Sequence, residues 1–303
     1  KTSRRPTTAL ASQDAYRIRE GSGRRELAGW ITDPAHPLTA RVMVNRIWQY
    51  HFGVGLVPTS TNFGALGERP SHPELLDELA ARYVEAGWSA KRLHRWLMLS
   101  STYGRSSRVD AAALRIDPEN RWLARMSRRR LDAEEIRDAM LAVSGELDRK
   151  MDGPGFLELA SPRRSLYLMS ARTGAKTSDF APLFDGANCG AIVERRASST
   201  VAPQSLFLMN DPWVEELSNR IAVRLLSDGR DPDLDQRLGR LYRRVLSRTP
   251  TAEELEIARR FLEDVSKVQV AADLEQRPEQ QSVEAWARLC HLLLCTNEFV
   301  YVD

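Results

Sequence analysis

Cysteine is scarce in this chain. Cys189, Cys290 and Cys295 are the only three among 303 residues, too few for the disulfide framework on which small secreted domains rely. No C-x-x-C-H run occurs, so this segment carries no covalent haem, and no other cofactor is expected in it. Long apolar runs are missing as well: none reaches the roughly 18 to 20 residues needed to cross a bilayer, and no transmembrane segment is expected. Charge of one sign is also lacking. The 44 Lys and Arg face 41 Asp and Glu, a net charge of +3, so no strong overall field holds the chain on nucleic acid or an anionic membrane, although a local patch is allowed. His36, His51, His72, His94 and His291 show neither H-x-x-x-H nor H-E-x-x-H spacing, and no metal site is expected. A glycine-rich phosphate loop, a G-x-S-x-G elbow, sustained heptads and internal repeats are all absent.

What is present describes a globular protein. With 42% apolar and 28% charged residues, the chain is long enough to bury a large core. It begins Lys1-Thr-Ser-Arg-Arg-Pro, without Met or a signal-like apolar stretch, and is read as a piece of something longer. Residues 1–21 form an expected extended, basic arm, and 22–303 a mainly α, bundle-like single domain with one long irregular loop region.

The densest helical signal is His36-Pro-Leu-Thr-Ala-Arg-Val-Met-Val-Asn-Arg-Ile-Trp-Gln-Tyr-His-Phe-Gly. Pro37 suits a first turn and Gly53 a left-handed stop. Val44, Ile47, Trp48 and His51 share one side, widened by Met43. Arg41, Asn45 and Gln49 stand at four-residue steps as a polar ridge, placed either to hold a ligand or to brace a neighbouring segment. A short helix over Arg24 to Ile31 precedes it. Residues 53–69 read as a structured loop. Ser71-His72-Pro73-Glu74 predicts a capping box, Ser89 a cap with Trp88 and Leu93 as its staple, and Asp132 with Glu135 a second box. Later helices are expected to start at Asp211-Pro212, Asp231-Pro232 and Thr251. Gln269 to Ser282 reads as a surface crossing before a closing helix with Trp286, Leu289, Cys290 and Leu293. On that helix Cys290 and Cys295 point about 140° apart and should not bridge each other. All three cysteines are expected as thiols, with a bridge from Cys189 left open in an oxidising compartment. At most a small β element is expected, at about 164–170, where Ser165-Leu-Tyr-Leu-Met alternates weakly.

Residues 173–199 form an expected long irregular loop, which is uncommon in a compact domain without a purpose. It concentrates Asp185, Cys189, Glu194, Arg195 and Arg196 and runs into Gln204. The two guanidiniums suit bidentate clamping of a carboxylate, phosphate or sulfate, with an acid as base. Equally, the charges tie the loop to helices beneath it. Arg41 and Asn45 complete the site from the ridge, or bond loop carbonyls instead. Arg128-Arg129-Arg130 is the densest basic run, with only Trp122 nearby among aromatics; it reads as a solvated cluster or anchor and not as a nucleic-acid patch.

Several phrases together carry a family resemblance: Pro37-Leu-Thr-Ala-Arg-Val-Met-Val-Asn-Arg-Ile-Trp-Gln, His51-Phe-Gly-Val-Gly-Leu-Val, His72-Pro-Glu-Leu-Leu-Asp-Glu-Leu-Ala, Ser100-Ser-Thr-Tyr, Arg129-Arg-Leu-Asp-Ala-Glu-Glu-Ile-Arg-Asp-Ala-Met, Thr200-Val-Ala-Pro-Gln-Ser-Leu-Phe-Leu-Met-Asn and Thr296-Asn-Glu-Phe-Val-Tyr-Val-Asp. From about residue 22 to its end the chain resembles the C-terminal domain of unknown function of large planctomycete proteins. There the domain follows a cytochrome c domain and a second uncharacterised domain. The resemblance implies an extracytoplasmic location, those two upstream domains as partners, and haem only in a domain upstream of this segment. The family often has Pro-Asn-Thr-Ser-Cys after its Phe-Asp; here Phe184-Asp185 continues Gly-Ala-Asn-Cys189, so Cys189 is the one corresponding position.

These readings predict a binding or scaffolding module. The competing reading is an enzyme acting on polysaccharide or another anionic polymer, with its site in the 173–204 loop. A third is a docking surface for the cytochrome, using the basic arm and Arg128 to Arg130.

Overall fold

Helix starts in this protein are set largely by side chains that satisfy the free amides of a first turn. The computed structural model describes residues 18, 21–170, 179–187, 190, 193–227, 233–272 and 278–302. Among them are thirteen α-helices and a single two-stranded sheet, pairing Arg129–Arg130 with Tyr301–Val302. The chain is mainly α, as its periodicity indicates. No helix among the described residues is long and apolar enough to cross a membrane. The backbone divides into two compact units, residues 1–129 with 193–195 and 303, and residues 130–192 with 196–302.

In the first unit, α1 (Arg24–Thr32) precedes the central helix α2 (Thr39–Phe52). That helix starts two residues beyond Pro37. The ring of His36 accepts the N–H groups of Leu38 and Thr39 at 3.2 and 3.1 Å, so the histidine supplies the acceptor that proline in the first turn would have made unnecessary. Val44, Ile47, Trp48 and Phe52 are buried, whereas Met43 is 39% exposed and does not widen the stripe. Gly53 ends α2 at φ 84°, a conformation that costs glycine little. Then come α3 (Pro73–Glu85), α4 (Ala90–Met98) and a short α5 (Ala111–Ile116). The capping box expected at Ser71 does not form. Pro73 occupies the first helical position, which puts Ser71 one residue too early, and its hydroxyl donates to Leu56 O at 3.3 Å. Ser89 does cap α4, accepting from Arg92 N at 3.4 Å. α2 packs on α3 and α4 through Leu76, Leu79, Tyr83, Leu93 and Leu97.

The segment after α2 has no regular structure, and Asn45 holds it. Fully buried, Asn45 accepts Val57 N–H at 2.8 Å and donates to Val57 O at 3.0 Å. One amide side chain thereby imitates a neighbouring strand and satisfies both backbone groups of a buried residue. Gly55 makes room for it: a Cβ there would lie 2.7 Å from Asn45 Nδ2 and 2.6 Å from Val57 O.

The second unit contains α6 (Ala133–Ser144), α7 (Phe180–Leu183), α8 (Ala202–Asn210), α9 (Pro212–Ser227), α10 (Leu234–Leu246), α11 (Ala252–Ala272), α12 (Pro278–Leu294) and α13 (Asn297–Val300). α12 runs along α9, with α6 against α9 and α11 against α12, enclosing a core that includes Met140, Ile221, Leu241, Trp286 and Leu294. Asp132 and Glu135 form their capping box, Glu135 accepting Asp132 N–H at 2.9 Å. Thr251 and Glu254 exchange two such bonds at 2.7 and 3.2 Å. The Asp231-Pro232 start lies outside the described residues; α10 begins at Leu234 with Asp233 before it. The surface crossing expected at Gln269 to Ser282 is corrected at both ends, because α11 runs to Ala272 and α12 starts at Pro278; residues 273–277 lie outside the described residues. Pro at a first helical position begins a helix more readily than it interrupts a loop.

The β element expected at 164–170 is also corrected. Ser165–Tyr167 is a 3-10 helix, and only an isolated bridge between Phe156 and Leu168 remains. Arg137 holds the backbone just before this turn. Its side chain has no exposed surface, and it donates to Leu159 O at 3.0 and 2.8 Å, Arg163 O at 2.9 Å, Ser165 Oγ at 3.1 Å and also Ser161 O. The rings of Phe156 and Trp213 lie 5.0 and 5.9 Å from its Cζ. Burial pulls its pKa down to about 10, which leaves it protonated at neutral pH.

Asn45→Ala is expected to cost about 2–4 kcal/mol by stranding both Val57 backbone groups, and Arg137→Met about 3 kcal/mol or more by releasing four acceptors; chemical denaturation measures both, and losses under about 1 kcal/mol would contradict the bracing roles. A pH titration of melting temperature tests a third feature. Arg248 donates to both Glu254 and Glu298 at 2.5–2.8 Å, and this holds the Glu254 carboxyl down at about 2 from an ordinary 4.5. The unfolded chain takes up that proton first, so the contribution is complete above about pH 4.5 and fades as pH falls toward 2. Glu254→Gln should flatten the melting curve across that interval, and an unaltered slope would show that other carboxylates govern acid unfolding.

Candidate functional site

The polar ridge of α2 and part of the long loop come together in the first unit. At the C-terminal end of α2 a cleft of about 550 Å³ is lined by Gln49, Gly53, Val54, Gly55, Pro58, Val193, Glu194 and Arg195. Gln49 forms its hinge: its carbonyl accepts from Ser60 Oγ, and its amide donates at 3.5 Å to Glu194 O. The Glu194 carboxylate accepts Thr61 N–H at 3.3 Å. The backbone that carries Val54, Gly55 and Pro58 is the segment Asn45 immobilises. Three apolar side chains, one carboxylate and one guanidinium thus face a single opening.

Arg195 is exposed and has no hydrogen-bond or ion-pair partner among the described residues. Arg41 differs, since its Nε donates to Asp77 at 2.7 Å and another nitrogen to Pro37 O at 2.5 Å. Asn45 lies behind the cleft wall and not in it. Of the ridge, Gln49, which the sequence places beside Arg41 and Asn45 but which no charge singles out, is the member that reaches the opening.

The other candidates belong to the second unit and serve its own backbone. Asp185, at φ 58°, accepts Ser199 N–H at 2.7 Å and the Ser199 hydroxyl at 2.8 Å. Gln204 is buried at the start of α8. It donates to Leu183 O at 2.9 Å and Ser199 Oγ at 3.2 Å, while its carbonyl accepts from Arg130 at 2.8 Å and from Val201 N at 3.3 Å. Arg196 holds Glu134 through both terminal nitrogens at 2.5 and 3.2 Å. Ser199 and Arg130 are the hubs of this network. A lone serine such as Ser199 carries no spacing signal, and Arg130 is read from sequence only as part of a solvated or anchoring run of like charges. Cys189 lies outside the described residues. Cys290 and Cys295 are free thiols, both pushed up in pKa by burial.

The histidines are engaged locally. His51 and His94 share a ring-to-ring hydrogen bond of 2.7 Å, with Tyr103 edge-on to His51 at 5.5 Å. Burial lowers the His51 pKa, with His94 and Arg129 adding to the effect. His291 meets Leu208 O at 2.7 Å. Among the described residues no group of three His, Cys, Asp or Glu side chains is placed to hold a metal.

Chemically, the cleft offers recognition. Arg195 can present its fork to an anionic group, Gln49 and Glu194 can accept or donate to hydroxyls, and Val54, Pro58 and Val193 can cover an apolar face. Glu194 is the one carboxylate in the lining, whereas glycoside hydrolysis ordinarily uses two.

No curated protein and no solved structure matches the chain. The family described as PSD1, Protein of unknown function (DUF1553), matches residues 23–262, which is most of the chain; with its helical architecture and the two clusters now placed, the chain belongs to that family.

Proposed function

We propose that this chain is a binding module whose ligand is an anionic saccharide or a similar polyhydroxylated anion, taken up in the cleft at the end of α2. The observation that carries the reading is Arg195. Its guanidinium lines a concave surface without an internal partner, beside groups suited to hydroxyls and backed by a loop that Asn45 fixes. An unpaired, exposed arginine at a preorganised cleft retains its donors for a ligand, at small ordering cost on binding.

Binding is favoured over catalysis by where the remaining candidates are spent. An enzymatic site would need Arg41 and Asp185 beside Glu194 and Arg195, but Arg41 is paired with Asp77 and Asp185 with Ser199. The wider setting is proposed from the resemblance: an extracytoplasmic, planctomycete-type multidomain protein in which a cytochrome c domain and a second uncharacterised domain lie upstream. In that setting the module presents its cleft to a polymer while its parent handles electrons elsewhere.

Isothermal titration with oligogalacturonate, and with neutral dextran as comparison, tests the reading. Oligogalacturonate is expected to bind and dextran not. Arg195→Ala should weaken binding about tenfold or more, the contribution of one charge-assisted pair, while the melting temperature stays within about 2 °C, since no internal contact is removed. Equal binding by the wild type and Arg195→Ala, or no binding at low ionic strength, would sink the assignment of this cleft.

A further inference from the structure

Two histidines tie the last turn of α2 to α4, and that contact carries a separate inference. Nε2 of His51 and Nδ1 of His94 lie 2.7 Å apart, with ring centroids at 5.0 Å and planes at 66°. Both rings are half-buried. A hydrogen bond between two ring nitrogens needs a proton on one and a lone pair on the other. The pair therefore keeps its bond while at least one ring is neutral. Once both are imidazolium, each facing nitrogen carries a proton, and the bond becomes a clash between like charges.

The surroundings favour the neutral state. From the turn after α4, Tyr103 stands nearly perpendicular to His51 at 5.5 Å and to Phe52 at 6.0 Å. That turn is held in place, since Tyr103 N–H bonds Ser100 Oγ at 3.2 Å and the same hydroxyl donates to Leu97 O at 2.6 Å. Burial first, then the positive charges of His94 and Arg129, hold the His51 pKa below its ordinary 6.5. α3 meets α2 with Asp77, but that carboxylate is bonded to Arg41, about 15 Å back along the helix at 1.5 Å per residue.

His51 sits between Gln49 and Gly53, which both line the cleft at the end of α2, so the turn that the pair holds also carries part of the cleft wall. We propose that His51 and His94 form a proton-operated latch: bonded at neutral pH, it keeps the last turn of α2 on α4, and in mild acid the second proton breaks the bond and frees the turn together with Gln49. A module built this way releases its ligand on acidification. That consequence rests on the function proposed above, whereas the latch itself does not. The unfolded chain takes up these protons near pH 6.5 and the folded pair only at lower pH. The stability contributed by the pair is therefore complete above about 6.5 and is lost as pH falls below it, an interval above the one in which Glu254 acts.

The test compares the wild type with His94→Gln, whose amide can bond His51 but takes up no proton, and with the reciprocal His51→Gln. Between about pH 7.5 and 5, wild-type amide chemical shifts at residues 48–53 and 93–97 should follow one common transition centred below 6.5. The same amides should lose protection from hydrogen exchange after correction for its intrinsic pH dependence. Both changes should vanish in His94→Gln, or in His51→Gln should the first variant fail to fold. Over this interval the wild-type melting temperature should fall about 3 °C further than that of the variant, the equivalent of about one pKa unit. Isothermal titration with oligogalacturonate, whose carboxylates stay ionised throughout, reads the coupling: affinity should drop about threefold or more in the wild type and hold steady in the variant. A transition that persists in both variants, or a wild-type α2 end that does not change down to the acid limit, would overturn the latch. Affinity indifferent to pH while the shifts move would overturn its control of the cleft, and no oligogalacturonate binding even at neutral pH would count against the cleft assignment alone, since shifts and exchange decide the latch without ligand.

Discussion

Arg137 is a charged side chain without exposed surface on the inner face of α6, and the irregular chain from 159 to 165 is arranged around it. Burying a guanidinium is costly unless every donor is used. Here the donors are directed at carbonyls of consecutive turns, and two aromatic faces close over the plane of the group. The exchange works in both directions. A segment with no regular structure leaves carbonyls that nothing local can satisfy, and a single arginine gathers several of them without needing a strand or a helix. Asp138, 3.7 Å from the guanidinium, also accepts Ser165 N–H at 2.7 Å, so adjacent residues of one helix hold both the donors and the acceptors of the same turn.

Asn45 and Asn120 repeat the solution in the first unit with amides. Each places an oxygen and a nitrogen against the backbone N–H and C=O of a single residue, Val57 in one case and Arg125 in the other. Val57 adjoins Pro58 in the wall of the cleft at the end of α2, and Arg125 lines a second concave surface with Ser106 and Arg108. Concave surfaces made from loops are useful only when the loops stay put, and a buried amide provides the fixing that a sheet would otherwise supply. The clefts therefore depend on residues that never touch their contents.

The distribution of charge follows the same division. Across the whole chain acids and bases nearly cancel, and several described arginines are spent in pairs, such as Arg248 with Glu254 and Glu298, Arg259 with Asp235, or Arg196 with Glu134. Other described arginines have no internal partner. Arg195 and Arg108 are both of this kind and both line a cleft, which a sum over composition cannot reveal because the excess is local.

Much of the helical scaffold was legible in the residues. Gly53, Ser89, the Asp132 and Glu135 box and the Thr251 start act within four or five positions of themselves, so their meaning is carried in the spacing. The failures also have local causes: Ser71 was read one position out of register with Pro73, and the apolar run at Ser165 alternates too weakly to distinguish a strand from the 3-10 turn that forms. Of the candidate site, Glu194 and Arg195 were named from sequence and line the cleft, whereas Asp185, Arg196 and Gln204 bond their own unit and Arg41 pairs with Asp77. By itself the sequence determined the α class, the ends of most helices and the faces that turn inward, because backbone satisfaction and amphipathic periodicity are short-range. Only the tertiary structure decided which polar side chains are desolvated and which guanidiniums are left unpaired, because those outcomes depend on partners brought close by packing between segments far apart in the chain.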